Sequence, residues 1–113
     1  MKNYDLEDRT KQFSFKIIEL CKSLPFNSIN KRLADQLIRS GTSIGVNYRE
    51  ANETDTKKDF KNKIRISRKE ARETIYWLEL INNANPERTE KINQLLDESR
   101  QLIKIIASIY LNS

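Results

Sequence analysis

The sequence predicts an all-α fold, an antiparallel up-down-up-down four-helix bundle, on three observations. The 113 residues include only two Gly and two Pro, too few for the many tight turns of an all-β domain. Charged residues make up 33% of the chain and alternate with apolar ones at helical spacing. The helical pattern is interrupted only by stretches a few residues long, so consecutive helices must fold back on one another. A chain of this length supports one domain, residues 1–113, whose core removes roughly two-thirds of the unfolded surface from water.

The first helix is expected from about Asp5 to Ser23, with Leu6, Phe13, Ile17, Leu20 and Leu24 on one stripe. Leu24-Pro25-Phe26-Asn27 ends it, because Pro lacks an N–H and pushes the residue before it out of helical geometry. Ser28 is the candidate cap of the second helix, which runs to about Asn52 and aligns Leu33, Leu37, Ile44, Tyr48 and Ala51. Gly41 and Gly45 lie one turn apart on the flank of that stripe. Each costs about 1 kcal/mol in a helix interior. Close approach of another helix backbone would account for the pair; a hinge is the alternative. On the other flank, Gln36, Ser40, Ser43, Asn47 and Glu50 form a polar ladder. It is expected to be a partly buried hydrogen-bonded network or a subunit contact.

The third helix spans Thr56 to Asn83, with Thr56 and Asp59 spaced as a capping box. Its stripes differ in chemistry. Phe60, Ile64, Ser67, Ala71, Ile75 and Leu78 form a core face. Lys58, Lys61, Arg65, Arg68, Lys69 and Arg72 form a basic face, and Asp59, Glu70 and Glu73 lie beside Ile66, Trp77 and Leu80 on a mixed one. Asn85-Pro86 caps and opens the fourth helix, with Pro at the first helical position, and the helix continues to about Leu111. Ile92, Leu96, Ile103, Ile106 and Tyr110 form its central stripe, which Leu95, Leu102, Ile105 and Ile109 widen to about half the circumference. A bundle helix needs a stripe only somewhat wider than about 100°. The excess predicts a second contact surface made of Ile66, Trp77, Leu80, Leu95, Leu102, Ile105 and Ile109. Packing beneath the N-terminal segment or the loops is the alternative.

Net charge is +5, and all of it is local. Lys57 to Glu73 holds eight of the 21 Lys and Arg and three of the 16 Asp and Glu, leaving thirteen of each sign elsewhere. A basic stripe about 20 Å long, at 1.5 Å rise per residue, can track several phosphates and release their counterions. The stripe lacks interleaved aromatics for base stacking, so backbone contact with little sequence preference is expected. A merely solvated face is the competing expectation.

Catalysis is not expected. The chain has no His, which removes Glu-x-x-His di-iron pairs, His-containing zinc sites and Ser-His or Cys-His nucleophiles. Glu70 and Glu73, flanked by Lys69 and Arg72, look like salt-bridge partners rather than a tuned acid–base pair. No metal or cofactor is expected. The single Cys21 excludes an internal disulfide framework and is expected to be a small buried hydrophobe in a reducing, cytoplasmic setting. No membrane span or apolar signal core is visible, and no membrane partner is expected.

Two stretches carry a family resemblance: RSGTSIGVNYREA (Arg39 to Ala51) and DFKNKIRISRKEARETIYWLELI (Asp59 to Ile81). Within them, Ser43, Ile44, Asn47, Glu50 and Ala51, and the run Glu70 to Leu78, resemble the bacterial four helix bundle protein family. That family includes proteins encoded in intervening sequences of large-subunit ribosomal RNA genes, also called S23-like. It is similar to the accessory variability protein of diversity-generating retroelements, which partners a reverse transcriptase. The resemblance implies an antiparallel four-helix bundle assembled as a homopentamer, without established enzymatic activity. Its implied partners are further copies of itself, RNA or DNA, or a nucleic-acid enzyme such as a reverse transcriptase. The combined expectation is a non-enzymatic binding or scaffold module acting through the basic stripe. A protein–protein adaptor that binds no nucleic acid is the alternative.

Overall fold

Side chains or a proline ring set where most of the helices begin. The computed structural model describes residues 3–113. It contains α1 (Asn3–Ser23), α2 (Ser28–Ala51), α3 (Lys57–Ala84) and α4 (Thr89–Leu111), with no strand among the described residues. Asn27, and not Ser28, caps α2: its backbone is extended and its Oδ1 accepts from the Asn30 N–H at 2.8 Å. Ser28 is thereby the first helical residue. Thr56 caps α3 as expected, its Oγ1 accepting from the Asp59 N–H at 3.0 Å.

The start of the fourth helix differs from expectation. Pro86 opens a short 3-10 turn, Pro86–Arg88, and α4 begins only at Thr89. Asn85 does not cap it, because its side chain is used elsewhere. Asn85 Nδ2 donates to Asn30 Oδ1 at 2.9 Å and to the Ile81 carbonyl at 3.0 Å, and Asn30 Nδ2 donates back to Asn85 Oδ1 at 3.0 Å. This buried, reciprocal amide pair joins the α1–α2 turn to the α3–α4 turn at one end of the bundle.

Cross-links between neighbouring helices run in opposite residue order and show that every neighbouring pair is antiparallel. Lys63 meets Glu50, Ser67 Oγ donates to the Ile44 carbonyl at 2.7 Å, and the Thr74 and Ser40 hydroxyls are bonded at 3.0 Å. Glu7 meets Arg49 and Asn52 across α1 and α2. Arg9 meets Glu98, and Arg88 donates to the Ser23 carbonyl, across α1 and α4. Thr89 donates to Asn82 at the α3–α4 end. The α2–α3 seam is the most extensive and α1–α4 the sparsest, while the diagonal pairs make no close backbone approach among the described residues. The particle measures 45 × 22 × 19 Å, its long axis set by the 28-residue α3.

The core runs down the centre of the four helices: Leu6, Phe13, Ile17 and Leu20; Leu37, Ile44 and Tyr48; Ile64, Ala71, Leu78 and Ile81; Ile92, Leu95, Leu102 and Ile106. The α4 stripe is rotated from expectation. Leu95 and Leu102, predicted as surplus surface, are 3% and 0% exposed, whereas Ile103 and Tyr110 are only half-buried. Two neighbours, α3 on one flank and α1 on the other, use up most of the wide apolar sector.

The glycine pair serves the α1–α2 contact. A Cβ at Gly45 would stand 2.9 Å from Thr10 Oγ1, and one at Gly41 would stand 3.1 Å from Ile17 Cγ1. At Gly45 the α1 backbone itself is near, with the Thr10 carbonyl carbon 3.6 Å from the Cβ position, whereas at Gly41 it is the Ile17 side chain that fills the space a Cβ would need.

Candidate nucleic-acid interface

Helical spacing places Lys58, Lys61, Arg65, Arg68, Lys69 and Arg72 on one side of α3, away from its buried residues Ile64, Ser67, Ala71, Thr74 and Leu78. Lys58, Arg65, Lys69 and Arg72 are exposed, and Lys61 and Arg68 are half-buried. None of the six forms an ion pair among the described residues. Among the described residues, Arg65 Nη2 donates to the neutral Asn62 Oδ1, at 2.8 Å.

The opposite flank of α3, facing α2, is neutralised. Lys63 Nζ lies 2.7 Å from Glu50 Oε1, and Arg39 bridges Glu70, at 3.3 Å, and Glu73. Lys69 and Arg72 are therefore not the partners of Glu70 and Glu73. Adjacent residues of a helix point to different faces, whereas antiparallel α2 carries Arg39 alongside both carboxylates.

The structure also brings an aromatic ring to the basic face. Tyr110, at the end of α4, lies with its ring centroid 4.7 Å from Lys61 Nζ and 4.9 Å from Arg68 Cζ. The expectation of a face without aromatics holds for α3 alone. Tyr110 was legible only as part of the α4 apolar stripe, because the axial register between α3 and α4 is not encoded in either helix's own periodicity.

The polar ladder of α2 does not form a network of its own. Ser43 Oγ donates to the Arg39 carbonyl at 2.6 Å and Asn47 Nδ2 to the Ser43 carbonyl at 2.9 Å, both within the helix. Gln36 and Glu50 are exposed, Gln36 Oε1 accepting from Arg39 Nε at 3.4 Å. Only Ser40 is buried; its hydroxyl accepts from Thr74 of α3 at 3.0 Å and donates to the Leu37 carbonyl of its own helix at 3.4 Å. The ladder is the polar edge of the α2–α3 seam.

The remaining predicted contact residues divide. Trp77, Ile105 and Ile109 are half-buried and pack on the core. Trp77 Nε1 is covered by protein with no acceptor among the described residues. Ile66 and Leu80 are half-buried outside the core cluster. Sequence reasoning missed the most open apolar side chains, among them Phe26, 99% exposed in the α1–α2 turn, and Ile29 and Val46 on α2. Lying off the main apolar stripes was the signal that could have found them.

Cys21 is half-buried against the core, and burial, assisted by the charge of Asp35, pushes its thiol up to about 11. Among the described residues, no three His, Cys, Asp or Glu side chains group closely enough to hold a metal ion. Among the described residues, no helix is long and apolar enough to cross a membrane.

Comparison with known proteins agrees with the fold. A family model described as 23S rRNA-intervening sequence protein matches residues 2–108. The crystal structure of a protein with unknown function from the S23 ribosomal protein family of Bacteroides thetaiotaomicron VPI-5482 is similar to this chain, with a TM-score of 0.85 and 36% sequence identity. The similarity covers 97% of this chain and 98% of that one. No protein of curated function matches.

Proposed function

The chain belongs to the 23S rRNA-intervening sequence protein family, and from that premise we propose that it is a non-enzymatic, homo-oligomeric scaffold that binds nucleic acid or a nucleoprotein partner through the basic face of α3. The observation that carries this is the sorting of charge around one helix. On the α2 side of α3, Lys63, Glu70 and Glu73 find opposite charges, and on the other side six cations stand together with no ion-pair partner among the described residues. A cluster of this kind gathers a polyanion's phosphates and releases their counterions, which makes binding strong at low salt and indifferent to sequence.

The oligomer we propose is the homopentamer implied by the family resemblance. Ile66 and Leu80 support it as half-exposed apolar residues that the chain's own core does not use. A nucleic-acid enzyme such as a reverse transcriptase is the kind of protein partner this reading allows. No cofactor, metal or membrane enters it.

The test is a titration of the protein against single- and double-stranded RNA and DNA at two salt concentrations. Affinity is expected to fall with salt by about 0.7 to 0.9 in log units per phosphate neutralised and per decade of salt. The variant Arg65→Glu/Arg72→Glu changes two exposed side chains that hold nothing in the core, so it should bind unrelated sequences equally less well and flatten the slope. No binding at low salt, or binding that survives the double reversal, would favour the adaptor that binds no nucleic acid.

A further inference from the structure

We propose that Tyr110 is a positioning residue of the basic face: its ring holds Lys61 and Arg68 as an ordered pair for the phosphate backbone of a nucleic acid. This rests on the functional reading above and specifies how that site works. Tyr110 packs against the hydrophobic core, so its ring is fixed from behind. The two cations stand 4.7 and 4.9 Å from the ring centroid, which keeps them no more than 9.6 Å from each other. Both are half-buried, unlike Lys58, Arg65, Lys69 and Arg72, and neither pairs with a carboxylate among the described residues.

A long cationic side chain loses rotamer freedom when a phosphate captures it. A ring that already orders the side chain removes part of that loss, so the ordered pair binds more tightly than two free cations would. The same arrangement limits what the ring can do. With two cations held at it, the ring is not free to stack on a base, so this part of the face reads backbone and not sequence.

The experiment uses the full chain and a fluorescein-labelled single-stranded RNA of mixed sequence at low salt. Tyr110→Leu, which keeps an apolar side chain against the core but removes the π-face, is expected to weaken binding about three- to tenfold. Tyr110→Phe, which keeps the face, should stay within about twofold of the original. The salt slope should be the same for Tyr110→Leu as for the original, since no charge is lost, whereas Lys61→Ala/Arg68→Ala should reduce it by about 1.4.

A double-mutant cycle separates positioning from general damage. Tyr110→Leu should have no further effect in the Lys61→Ala/Arg68→Ala background and its full effect in Lys58→Ala/Lys69→Ala. Equal losses in both backgrounds, or no loss from Tyr110→Leu, would overturn the assignment while leaving nucleic-acid binding intact. Failure of the unmodified protein to bind the RNA would overturn the functional reading and this assignment with it. If leucine lowers the thermal midpoint enough to disturb folding, Tyr110→Met, an adaptable apolar filler, carries the same comparison.

Discussion

Gly45 shows how one missing methyl group can set a helix–helix distance. The side chain it faces, Thr10, is 1% exposed, and the Thr10 hydroxyl donates to its own helix at Leu6 O, 2.9 Å, and Glu7 O, 3.0 Å. A new Cβ would meet Thr10 Oγ1 at 2.9 Å and Thr10 Cβ at 3.1 Å, and neither atom is the free end of a flexible chain. Alanine gains about 1 kcal/mol of helix propensity over glycine, but crowding of a packed contact costs about 1–3 kcal/mol. Crowding should win, so Gly45→Ala is expected to lower stability by about 1 kcal/mol in urea unfolding. An unchanged or raised midpoint would mean that α1 can yield at Thr10.

Among the helices, α2 and α3 are joined by chemistry as well as by packing. Ser67 and Thr74 reach across to the Ile44 carbonyl and to Ser40, and Arg39 closes over Glu70 and Glu73 at the surface. The turns at one end are joined by the Asn30–Asn85 pair, with the two residues 4% and 2% exposed. Removing one amide leaves the other buried with unmet hydrogen-bonding groups, a loss of about 1–3 kcal/mol. Asn85→Ala should therefore destabilise by about 2 kcal/mol in denaturant unfolding. Asn30→Leu/Asn85→Leu should lose less than the sum of the two single changes, because each single change exposes the same partner's deficit.

For the whole molecule, the question is which apolar surface remains for another copy. The core absorbs Leu95 and Leu102, and Trp77, Ile105 and Ile109 pack on it. Ile66 and Leu80 are left as the members of the predicted set that lie off the core. Light scattering is expected to report a mass near five times 13.4 kDa. Ile66→Asp/Leu80→Asp should reduce it to the single-chain mass with helicity retained, because neither residue belongs to the core cluster. A monomer before any substitution would sink the proposed assembly. Loss of helicity on substitution would show that this surface is part of the bundle.

The four helices, most of their core residues, the close approach at Gly41 and Gly45, and the basic stripe on α3 were all legible in the sequence. Each is a local property: helical periodicity fixes where a side chain points around its own axis, and Pro, Gly, Asn and Thr mark the breaks. Tertiary structure alone decided how each helix is rotated against its neighbours and how far each antiparallel pair is shifted along its axis. That rotation buried Leu95 and Leu102 and left Ile103 and Tyr110 at the edge of α4. The axial shift set Arg39 beside Glu70 and Glu73, Asn30 against Asn85, and Tyr110 beside Lys61 and Arg68. Rotation and shift follow from packing all four apolar faces at once at close to crystalline density, a condition that no single helix's sequence contains.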